Sequence, residues 1–436
     1  MDLITKYNIP APRYTSYPTV PFWNNRSGWE SSLQQNSAEP LSLYIHLPFC
    51  ERLCTYCSCN KYITVNHEHE APYMAAVLRE WDLYLQQFGA RPKLRELHLG
   101  GGTPTFFSPQ NLRYLVESIL HHCDVLPDAA FAFEGHPNNT SYEHLQTLYQ
   151  LGFRRVSFGI QDFDLSVQTI INRIQPFKNV EKVVRDARAI GYTSINFDLI
   201  YGLPLQTPKS IRETITKVML LSPDRISFYS YAHVPWVKGN GQRLFTENDL
   251  PKPAVKRGLY ELGCAMLKEY AYEEIGMDHF ALPDDELCLA RRNGTLHRNF
   301  MGYTITRTTR LLGLGVSAIS DHGSAYTQNE KNLSAYLQAL EEGRLPVARA
   351  HVQDDEDLRL GHHIRELMCN FETRCNPSPD ILEHLQEPLH DGLVEIAEGR
   401  VAVTEKGKPY IRNICMAFDA YLWKNSPNTR VFSGAI

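Results

Sequence analysis

Four cysteines lie within ten positions of the chain, in the segment LYIHLPFCERLCTYCSCNKYIT at residues 43–64. Cys50, Cys54 and Cys57 are separated by three and then two residues, and Cys59 follows two positions later. Because thiolates are soft ligands, a site made only of cysteine favours zinc or an iron-sulfur cluster. Structural zinc usually takes two separated ligand pairs, whereas all the candidate ligands here lie in one loop. The spacing favours a 4Fe-4S cluster held by the first three cysteines, with the fourth iron left without a protein ligand.

A zinc knuckle, or a set of buried thiols without a metal, is the structural alternative for this segment. Buried cysteines are common in protein cores, but they are usually scattered singly. The close spacing therefore weighs against that interpretation without removing it.

Length and composition restrict the class of protein. The chain has 436 residues, of which 43% are hydrophobic and 21% charged, and its net charge is -5. We expect a soluble protein, since no run of about 18 uncharged apolar residues could span a membrane. The N-terminus lacks the features of a secretory signal, so we expect a cytoplasmic location, where the ten cysteines would be thiols or metal ligands. The acidic balance gives no field that would attract nucleic acid or anionic lipid.

Six β-rich runs alternate with amphipathic helical segments over the first half of the chain. The predicted strands are 41–47, 94–100, 130–136, 154–160, 194–202 and 225–232. Helical spacing is clear in EAPYMAAVLREWDLYLQQFG, which follows the cysteine loop, and in NLRYLVESIL. Repeated strand-then-helix units predict parallel strands with right-handed crossovers. Six units indicate an α/β fold with a partial (β/α)6 barrel rather than a closed eightfold one.

In such folds the chemistry collects at the carboxyl ends of the strands. The cysteines follow the first predicted strand, and GGGT at 100–103 ends the second. Glu134, Gln161 and Asp198 end the next three. We therefore expect these residues to converge on one cavity.

The strand-helix alternation stops near residue 345. Two helical patterns and a predicted hairpin leading into a helix follow, and this order is typical of a winged-helix module. A structural cap on the barrel is the favoured interpretation, because no basic patch marks the segment as a DNA reader. Four prolines near the N-terminus exclude a long helix there. The predicted organisation is an irregular arm at 1–35, a barrel with an extension at 36–345 and a mainly helical C-terminal domain at 346–436.

The cysteine segment resembles the radical S-adenosylmethionine (SAM) superfamily, and the string CERLCTYCSCNK resembles the oxygen-independent coproporphyrinogen III oxidases (dehydrogenases). The resemblance covers nearly the whole chain. The other blocks that carry it are PRYTSYPT at 12–19, GGGTPT at 100–105, FGIQDF at 158–163, DLIYGLP at 198–204, YAHVP at 231–235, IGMDHFALPDDEL at 275–287, LHRNFMGYT at 296–304, GVSAIS at 315–320 and IRNICMAFD at 411–419.

The resemblance implies one 4Fe-4S cluster on Cys50, Cys54 and Cys57, and two SAM molecules side by side in the cavity. It places Tyr44, Gly101, Glu134 and Ile319 against the SAM bound to the cluster. It places Tyr56, Gly102, Thr103, Gln161, Arg173, Asp198 and Ala232 against the second SAM. Tyr44, Cys59 and Glu134 are the expected catalytic residues.

Each of these residues also has a structural interpretation. GGG alone could be a tight turn, since no lysine completes a phosphate-binding loop. Glu134 could form a surface salt bridge, Tyr56 could shield the cluster, and Arg173 with Asp198 could be a structural ion pair. Cys59 lies close enough to coordinate iron, but the resemblance reserves ligation for the first three cysteines.

The implied reaction is the oxidative decarboxylation of two propionates of coproporphyrinogen III to vinyl groups, giving protoporphyrinogen IX of haem biosynthesis. A 5'-deoxyadenosyl radical starts each round, and an unidentified electron donor and acceptor complete it. The substrate carries four propionates, so arginines should hold its carboxylates. Arg13 and Arg298 are the candidates. The arm and the C-terminal helices are the candidate lids that protect the radical. We expect a monomer that binds neither nucleic acid nor membrane.

Two departures from the family pattern stand out. GHPNN follows Glu134 where many relatives have an Asp-Pro-Arg type run. Met301 stands where some relatives have glutamine, and methionine cannot donate an amide hydrogen bond. The second SAM site is therefore expected to be tuned differently.

Two other classes of function compete with this enzyme. A haem chaperone of the same superfamily would bind and transfer haem, but its relatives generally lack the fourth cysteine and the PRYTSYPT arm, both present here. A winged-helix regulator with a redox cluster would show salt-dependent DNA binding, which the acidic charge predicts to be absent.

Overall fold

The structure is a computed structural model that describes residues 2–23, 27–35, 39–235, 241–242, 245–307, 309–424 and 432–435. Its strands, in chain order, are β1 (Leu41–Leu47), β2 (Phe49–Cys50), β3 (Tyr62–Ile63), β4 (Lys93–Gly101), β5 (Asp124–Gly135), β6 (Phe153–Gln161), β7 (Ser194–Tyr201), β8 (Arg225–Ser230), β9 (Glu273–Gly276), β10 (His279–Ala281), β11 (His297–Asn299), β12 (Gly302–Thr304), β13 (Arg310–Leu314), β14 (Ile319–Asp321), β15 (Ala325–Asn329), β16 (Val347–Val352), β17 (Glu372–Arg374), β18 (Val394–Ala397) and β19 (Arg400–Val403).

The α-helices are α1 (Leu3–Tyr7), α2 (Glu30–Gln35), α3 (Glu70–Gln87), α4 (Pro109–His121), α5 (Tyr142–Gln150), α6 (Leu165–Ile170), α7 (Phe177–Ile190), α8 (Pro208–Leu221), α9 (Pro253–Glu269), α10 (Glu286–Arg292), α11 (Leu333–Glu341), α12 (Asp355–Asn370), α13 (Pro379–His390), α14 (Ile411–Met416) and α15 (Ala420–Lys424). Among the residues that the structure describes, no helix is both long and apolar enough to cross a membrane.

The six predicted strands form the centre of one large sheet. β1, β4, β5, β6, β7 and β8 are neighbours in that order and pair in parallel. The prediction of a partial (β/α)6 barrel is therefore confirmed. The parallel register brings the carboxyl ends of these strands to the same edge, which is where the predicted site residues lie.

The sheet continues beyond the predicted strands on both sides. β13 pairs in parallel with β1, and β14, β15 and β16 follow it as antiparallel strands. On the other side β10 and β9 extend β8. β13 was not predicted as a barrel strand, because its five buried residues are followed by an antiparallel hairpin rather than by a helix.

Helices cover the outer face of the sheet. Of the residues predicted at helical spacing in α3, Met74, Val77 and Trp81 are buried in the large core and Leu78 is partly buried against it. α3 and α4 match the two predicted helical segments to within a few residues at their ends. The packed outer face leaves the inner face of the sheet for polar side chains.

The C-terminal segment has a hydrophobic core of its own, built by α12, α13, α14 and the three-stranded sheet β17-β19-β18. This arrangement matches the predicted helices and hairpin. β16 lies beyond residue 345 and is the edge strand of the large sheet. The division into domains at 35 and 345 stays a prediction.

In its described residues, 2–23 and 27–35, the N-terminal arm contains the short helices α1 and α2 and a 3-10 turn at Val20–Phe22. Tyr7, Tyr14 and Tyr17 of the arm are buried in the C-terminal core. Pro10 pairs with Gly434 in an isolated antiparallel bridge. The arm is thus fastened to the C-terminal segment.

Candidate active site

A cavity of about 1020 Å³ opens at the carboxyl ends of the parallel strands. It is lined by most of the predicted site residues: Cys50, Cys54, Tyr56, Cys57, Cys59, Gly101, Gly102, Thr103, Glu134, Gln161, Arg173, Asp198 and Ala232. The predicted convergence of the strand ends therefore holds in space. These side chains come from six strands or the loops that follow them, as the parallel topology requires.

The cysteine loop is closed at its base and anchored along its length. Tyr62 N donates to Pro48 O at 2.9 Å, and Thr64 N donates to Cys50 O at 2.9 Å, so the two ends of the loop are paired. Thr55 N donates to Ile171 O at 3.0 Å. The His46 ring contacts Asn60 O through Nε2 at 2.9 Å. Contacts to β1 and to the loop after α6 thus fix the path of this segment.

The first three cysteines are half-buried, and Cys59 is exposed. All ten cysteines are free thiols. A hydrogen bond with Cys59 lowers the pKa of Cys57 to about 6, against burial, and Lys61 and Arg173 lower it further. Burial raises the pKa of Cys50 to about 11. The thiolate, which is the form that binds metal, is thus favoured at Cys57 and opposed by burial at Cys50.

The glycines at the end of β4 let this strand lie against the cysteine loop. Gly102 N donates to Leu47 O at 2.9 Å, and a Cβ on Gly102 would lie 3.0 Å from Cys50 Sγ. Gly101 has a φ of +119°, which a side chain would disfavour. Thr103 Oγ1 lies 3.3 Å from Cys50 Sγ. The GGGT segment therefore forms the floor beneath the first cysteine.

Glu134 points into the mouth of the barrel. Its Oε2 accepts a hydrogen bond from Gly101 N at 3.2 Å, and its Oε1 lies 3.4 Å from His98 Nε2. His98 in turn stacks on Tyr44, with ring centroids 5.8 Å apart. The Glu134 carboxylate therefore contacts the neighbouring strand β4. It forms no salt bridge with a Lys or Arg side chain among the described residues.

Gln161 and Arg173 present polar atoms without a partner. Gln161 is 7% exposed, and its Oε1 is buried without a hydrogen bond among the described residues. Arg173 donates to Gly159 O at 2.7 Å and to Cys54 Sγ at 3.4 Å, while its Nε has no partner in the described structure. Buried polar atoms are rarely left unsatisfied, so both indicate a ligand at this wall.

Asp198 does not pair with Arg173. Its carboxylate accepts from Ser157 Oγ and from Asn196 Nδ2, each at 2.9 Å. Burial and then the nearby Glu134 raise the pKa of Asp198 to about 6. The structural ion pair considered from the sequence is therefore absent between these two residues.

Tyr44, Ile319 and Arg298 lie outside the lining of the cavity. Tyr44 lies on β1, with its hydroxyl 3.1 Å from His46 Nδ1. Ile319 lies on β14, where it pairs with Gln328. Arg298 lines a separate cavity beside the arm. Arg13, by contrast, lines the main cavity.

Several lining residues had not been singled out from the sequence. Ser157 and Tyr229 line this cavity, and His98 lines a smaller one beside it; the alternation of β4, β6 and β8 is the signal that would have found them. His136, in the unusual GHPNN run, lines the cavity, and its pKa is lowered to about 2 by burial and by Arg173.

Met301 lies away from the main cavity. It lines a smaller cavity of about 190 Å³ inside the barrel, together with Tyr303 and Arg155. The two cavities share Glu134 and Asp198 on their walls. Met301 therefore faces the interior of the barrel from the β11–β12 hairpin.

The residues of the cavity fit a cluster better than a single metal ion. Among the described residues, no three His, Cys, Asp or Glu side chains are arranged to hold one ion. A 4Fe-4S cluster needs no such convergence, because each thiolate binds a different iron. The three half-buried thiols in one anchored loop, with unsatisfied Gln161 and Arg173 beside them, meet that need.

Comparison with known proteins gives consistent matches. The family profile of the radical SAM superfamily matches residues 44–218. The oxygen-independent coproporphyrinogen III oxidase of Pseudomonas aeruginosa is 39% identical over 455 aligned positions, covering 100% of this chain and 98% of the relative. The enzyme of that name from Escherichia coli K12 is 40% identical and covers 97% of this chain and 95% of the relative.

A solved structure matches over almost the same extent. It is that of coproporphyrinogen III oxidase (HemN) from Escherichia coli, described as a radical SAM enzyme, with a TM-score of 0.89 and 39% identity. The match covers 94% of this chain and 98% of that one. The chain therefore belongs to the oxygen-independent coproporphyrinogen III oxidases of the radical SAM superfamily.

Proposed function

We propose that this protein converts coproporphyrinogen III to protoporphyrinogen IX by oxidative decarboxylation of two propionates. The observation that carries the proposal is the cavity at the strand ends, where three thiols of one loop face Glu134, Arg173 and Asp198. Membership of the family supports the substrate and the reaction.

Cys50, Cys54 and Cys57 would hold the cluster. When bound, the 4Fe-4S cluster supplies an electron that cleaves SAM to methionine and a 5'-deoxyadenosyl radical, which takes hydrogen from the β-carbon of a propionate. Arg173 donates to Cys54 Sγ and so places a positive charge beside one of the three proposed ligands. Backbone contacts hold the loop in place before the cluster binds, which limits the rearrangement that loading requires.

The two sides of the cavity suit two SAM molecules. A volume of about 1020 Å³ lies at the upper end of the usual range for small-molecule sites, about 300–1000 Å³. On one side, the amide edge of Gly101 and the carboxylate of Glu134 would bind the SAM nearest the cluster. On the other, the free Gln161 Oε1 and Arg173 Nε would meet the second. Asp198 and Ala232 line this second side as well.

Arg13 would hold a substrate propionate. Its Nη1 lies 3.5 Å from Asp278 Oδ2, and its guanidinium lies over the Tyr229 ring. Lys256 and Arg412 are also near: burial and then Arg13 lower the pKa of Lys256 to about 8 and that of Arg412 to about 10. Arg13 and Arg412 place positive charge near the carboxylate of Asp278, and a propionate would neutralise it.

The arm and the C-terminal segment would exclude water from the radical. Arg412 is 5% exposed and donates to Pro12 O and Gly434 O, each at 3.0 Å. These bonds hold the arm over the strand ends, next to the position of Arg13. A closed cavity protects a reactive primary radical from side reactions.

The cellular setting is part of the proposal. Ten free thiols favour a reducing compartment, so we place the protein in the cytoplasm. We propose that it works as a monomer, that an external donor reduces the cluster and that an external acceptor takes the electron left after decarboxylation. The acidic net charge of -5 supports the absence of nucleic-acid and membrane partners.

An anaerobic turnover assay tests the proposal. Protein with reconstituted cluster is mixed with SAM, a reductant and coproporphyrinogen III. We expect protoporphyrinogen IX, methionine and 5'-deoxyadenosine to form together. Tight haem binding without consumption of porphyrinogen would instead favour a haem chaperone. Zinc in place of iron, or a cluster whose spectrum ignores added SAM, would refute the radical mechanism.

A further inference from the structure

A second cavity, of about 200 Å³, lies between the arm, the β11–β12 hairpin and α12. Its lining shares no residue with that of the main cavity. The charged and titratable side chains that line it are His297, Arg298, Arg307, Asp321, Asp357 and Arg365, beside Tyr14 and Tyr17 of the arm. We call it the arm cavity.

Arg298 is a buried cation in this lining without a polar partner. It is 8% exposed, and its Nε and Nη1 are buried without a hydrogen bond in the described part of the chain. Its guanidinium lies over the Tyr303 ring, 4.6 Å from the centroid. A desolvated charge with no counter-ion is costly, and buried charges in proteins are usually paired or bind a ligand.

The other charged residues around the arm cavity also leave an excess of positive charge. Arg307 and Arg365 form no ion pair within 4 Å with any described residue. Asp357 is engaged by His351 Nε2 at 2.7 Å, and Asp321 accepts from Gly323 N at 2.9 Å. Burial, Arg365 and Arg307 lower the pKa of His297 to about 4, so this ring is neutral.

Three arginines and two aspartates leave one net positive charge on the lining. One carboxylate would neutralise it. The volume is below the usual range for a drug-sized ligand, about 300–1000 Å³, so it suits a small anion or one side arm of a larger molecule.

We propose that the arm cavity is a binding site for a carboxylate, anchored by Arg298 with Arg307 and Arg365 at its rim. The carboxylate is either that of a free small acid or a propionate of a tetrapyrrole. As a site for a free acid it goes beyond the proposed function, and as a propionate site it rests on that function and adds an anchor for the same substrate. Because Tyr14 lines the arm cavity and Arg13 lines the main one, a bound carboxylate would also stabilise the arm beside the active site.

Calorimetric titration of the full-length protein tests the site, with glutarate and coproporphyrin III as probes. Arg298→Gln and the exposed Arg307→Gln should each weaken binding about tenfold, because each removes a charge-assisted contact. Arg359→Gln, on the exposed part of α12, is the matched control and should bind as the wild type does. Without ligand, Arg298→Gln should melt at the same or a higher temperature than the wild type, since an unpaired buried charge is removed.

The outcomes separate the two sources of the carboxylate. If the two variants bind glutarate more weakly than the wild type does, the arm cavity is a site for a free small acid. If they bind only coproporphyrin III more weakly, it is a propionate site. Unchanged binding of both probes in both variants, or no binding of either probe to the wild type, would overturn the proposal. If Arg298→Gln fails to fold, the affinity of Arg307→Gln for the two probes tests the proposal. Normal turnover of coproporphyrinogen III, together with unchanged probe affinities in the variants, would overturn the proposed carboxylate site but not the proposed function.

Discussion

Gly102 lies so close to Pro48 that a Cβ atom on the glycine would overlap the proline carbonyl group. The obstacle is backbone, and that same carbonyl oxygen accepts the hydrogen bond from Tyr62 N that closes the cysteine loop. We predict that Gly102→Ala displaces this loop. The free energy of unfolding should fall by about 1–3 kcal/mol, as in other overpacked sites. The reconstituted variant should bind much less iron than the wild type does.

Gly258→Ala is the matched control for that substitution. Gly258 lies within α9 and has nothing within 4 Å of a Cβ. Alanine there should raise the free energy of unfolding by up to about 1 kcal/mol through helix propensity. Equal iron contents for the two variants would contradict the role given to the contact between Gly102 and Pro48.

Cys59→Ser should separate iron binding from turnover. Cys59 lines the cavity and is hydrogen-bonded with Cys57, but it is the exposed member of the four cysteines. We expect wild-type iron content and a loss of turnover of about a hundredfold, the size of effect that a positioned proton donor commonly has. Cys375→Ser, in the C-terminal segment, should leave both unchanged. Loss of iron in Cys59→Ser would make this residue a ligand.

Arg173→Lys should remove one of two SAM molecules. Lysine cannot reproduce a planar guanidinium that contacts Gly159 O and Cys54 Sγ while keeping Nε free for a ligand. Equilibrium dialysis with labelled SAM should give two molecules per wild-type chain and one per variant chain. Arg154→Lys, on the outer surface over Tyr149, is the control. A single SAM on the wild type would refute the second site.

The stability of the protein should depend on pH through Glu80. This carboxyl is fully buried and accepts from Gly315 N, Asn329 Nδ2 and Tyr336 OH. Burial raises its pKa from 4.5 to about 7. The folded state therefore keeps a proton that the unfolded state has lost, and stability falls as pH rises from 4.5 through 7. The loss from this group amounts to about 3 kcal/mol.

Glu80→Gln isolates that contribution. Denaturant unfolding of both proteins between pH 4.5 and 8 should show a shallower decline for the variant. Other buried acids with raised pKa values, such as Asp162 and Asp419, titrate in both proteins and cancel in the difference. Parallel curves would show that Glu80 does not hold its proton in the folded state.

Arg412→Gln should release the arm. The guanidinium donates to the carbonyl groups of Ala11 and Pro12 in the arm and of Gly434 and Ala435 in the C-terminal segment. Losing these bonds should lower the free energy of unfolding by about 2–4 kcal/mol. Limited proteolysis should cut within residues 2–23 faster than in the wild type. Arg400→Gln, an exposed residue paired with Glu372, should behave as the wild type does.

Much of the fold follows from local patterns. The period-two strands and the helices between them predict β1, β4, β5, β6, β7 and β8 and their parallel order, because a strand-helix-strand crossover has essentially one hand. The antiparallel strands β9, β10 and β14 to β16 were not predicted. They are short and are defined by their pairing partners, which no local pattern contains.

The proposed metal ligands and the cavity residues could be predicted from the sequence, because they are adjacent along the chain or lie at strand ends. Arg298 stays a predicted carboxylate ligand, but its location in a separate cavity could not be predicted, since a residue of a short strand can face either side of its hairpin. Its position in the arm cavity depends on how the β11–β12 hairpin packs against α12 and the arm.

The sequence by itself determined which chemistry this protein can perform. It did so through the spacing of Cys50, Cys54 and Cys57 and through the strands that precede each polar residue. Only the tertiary structure decided which polar groups meet. Asp198 binds Ser157 and Asn196 rather than Arg173, and Arg298 Nε and Nη1 have no hydrogen-bond partner among the described residues. Covalent spacing fixes what lies nearby along the chain, whereas contacts between distant residues depend on how the packed elements satisfy each buried polar atom.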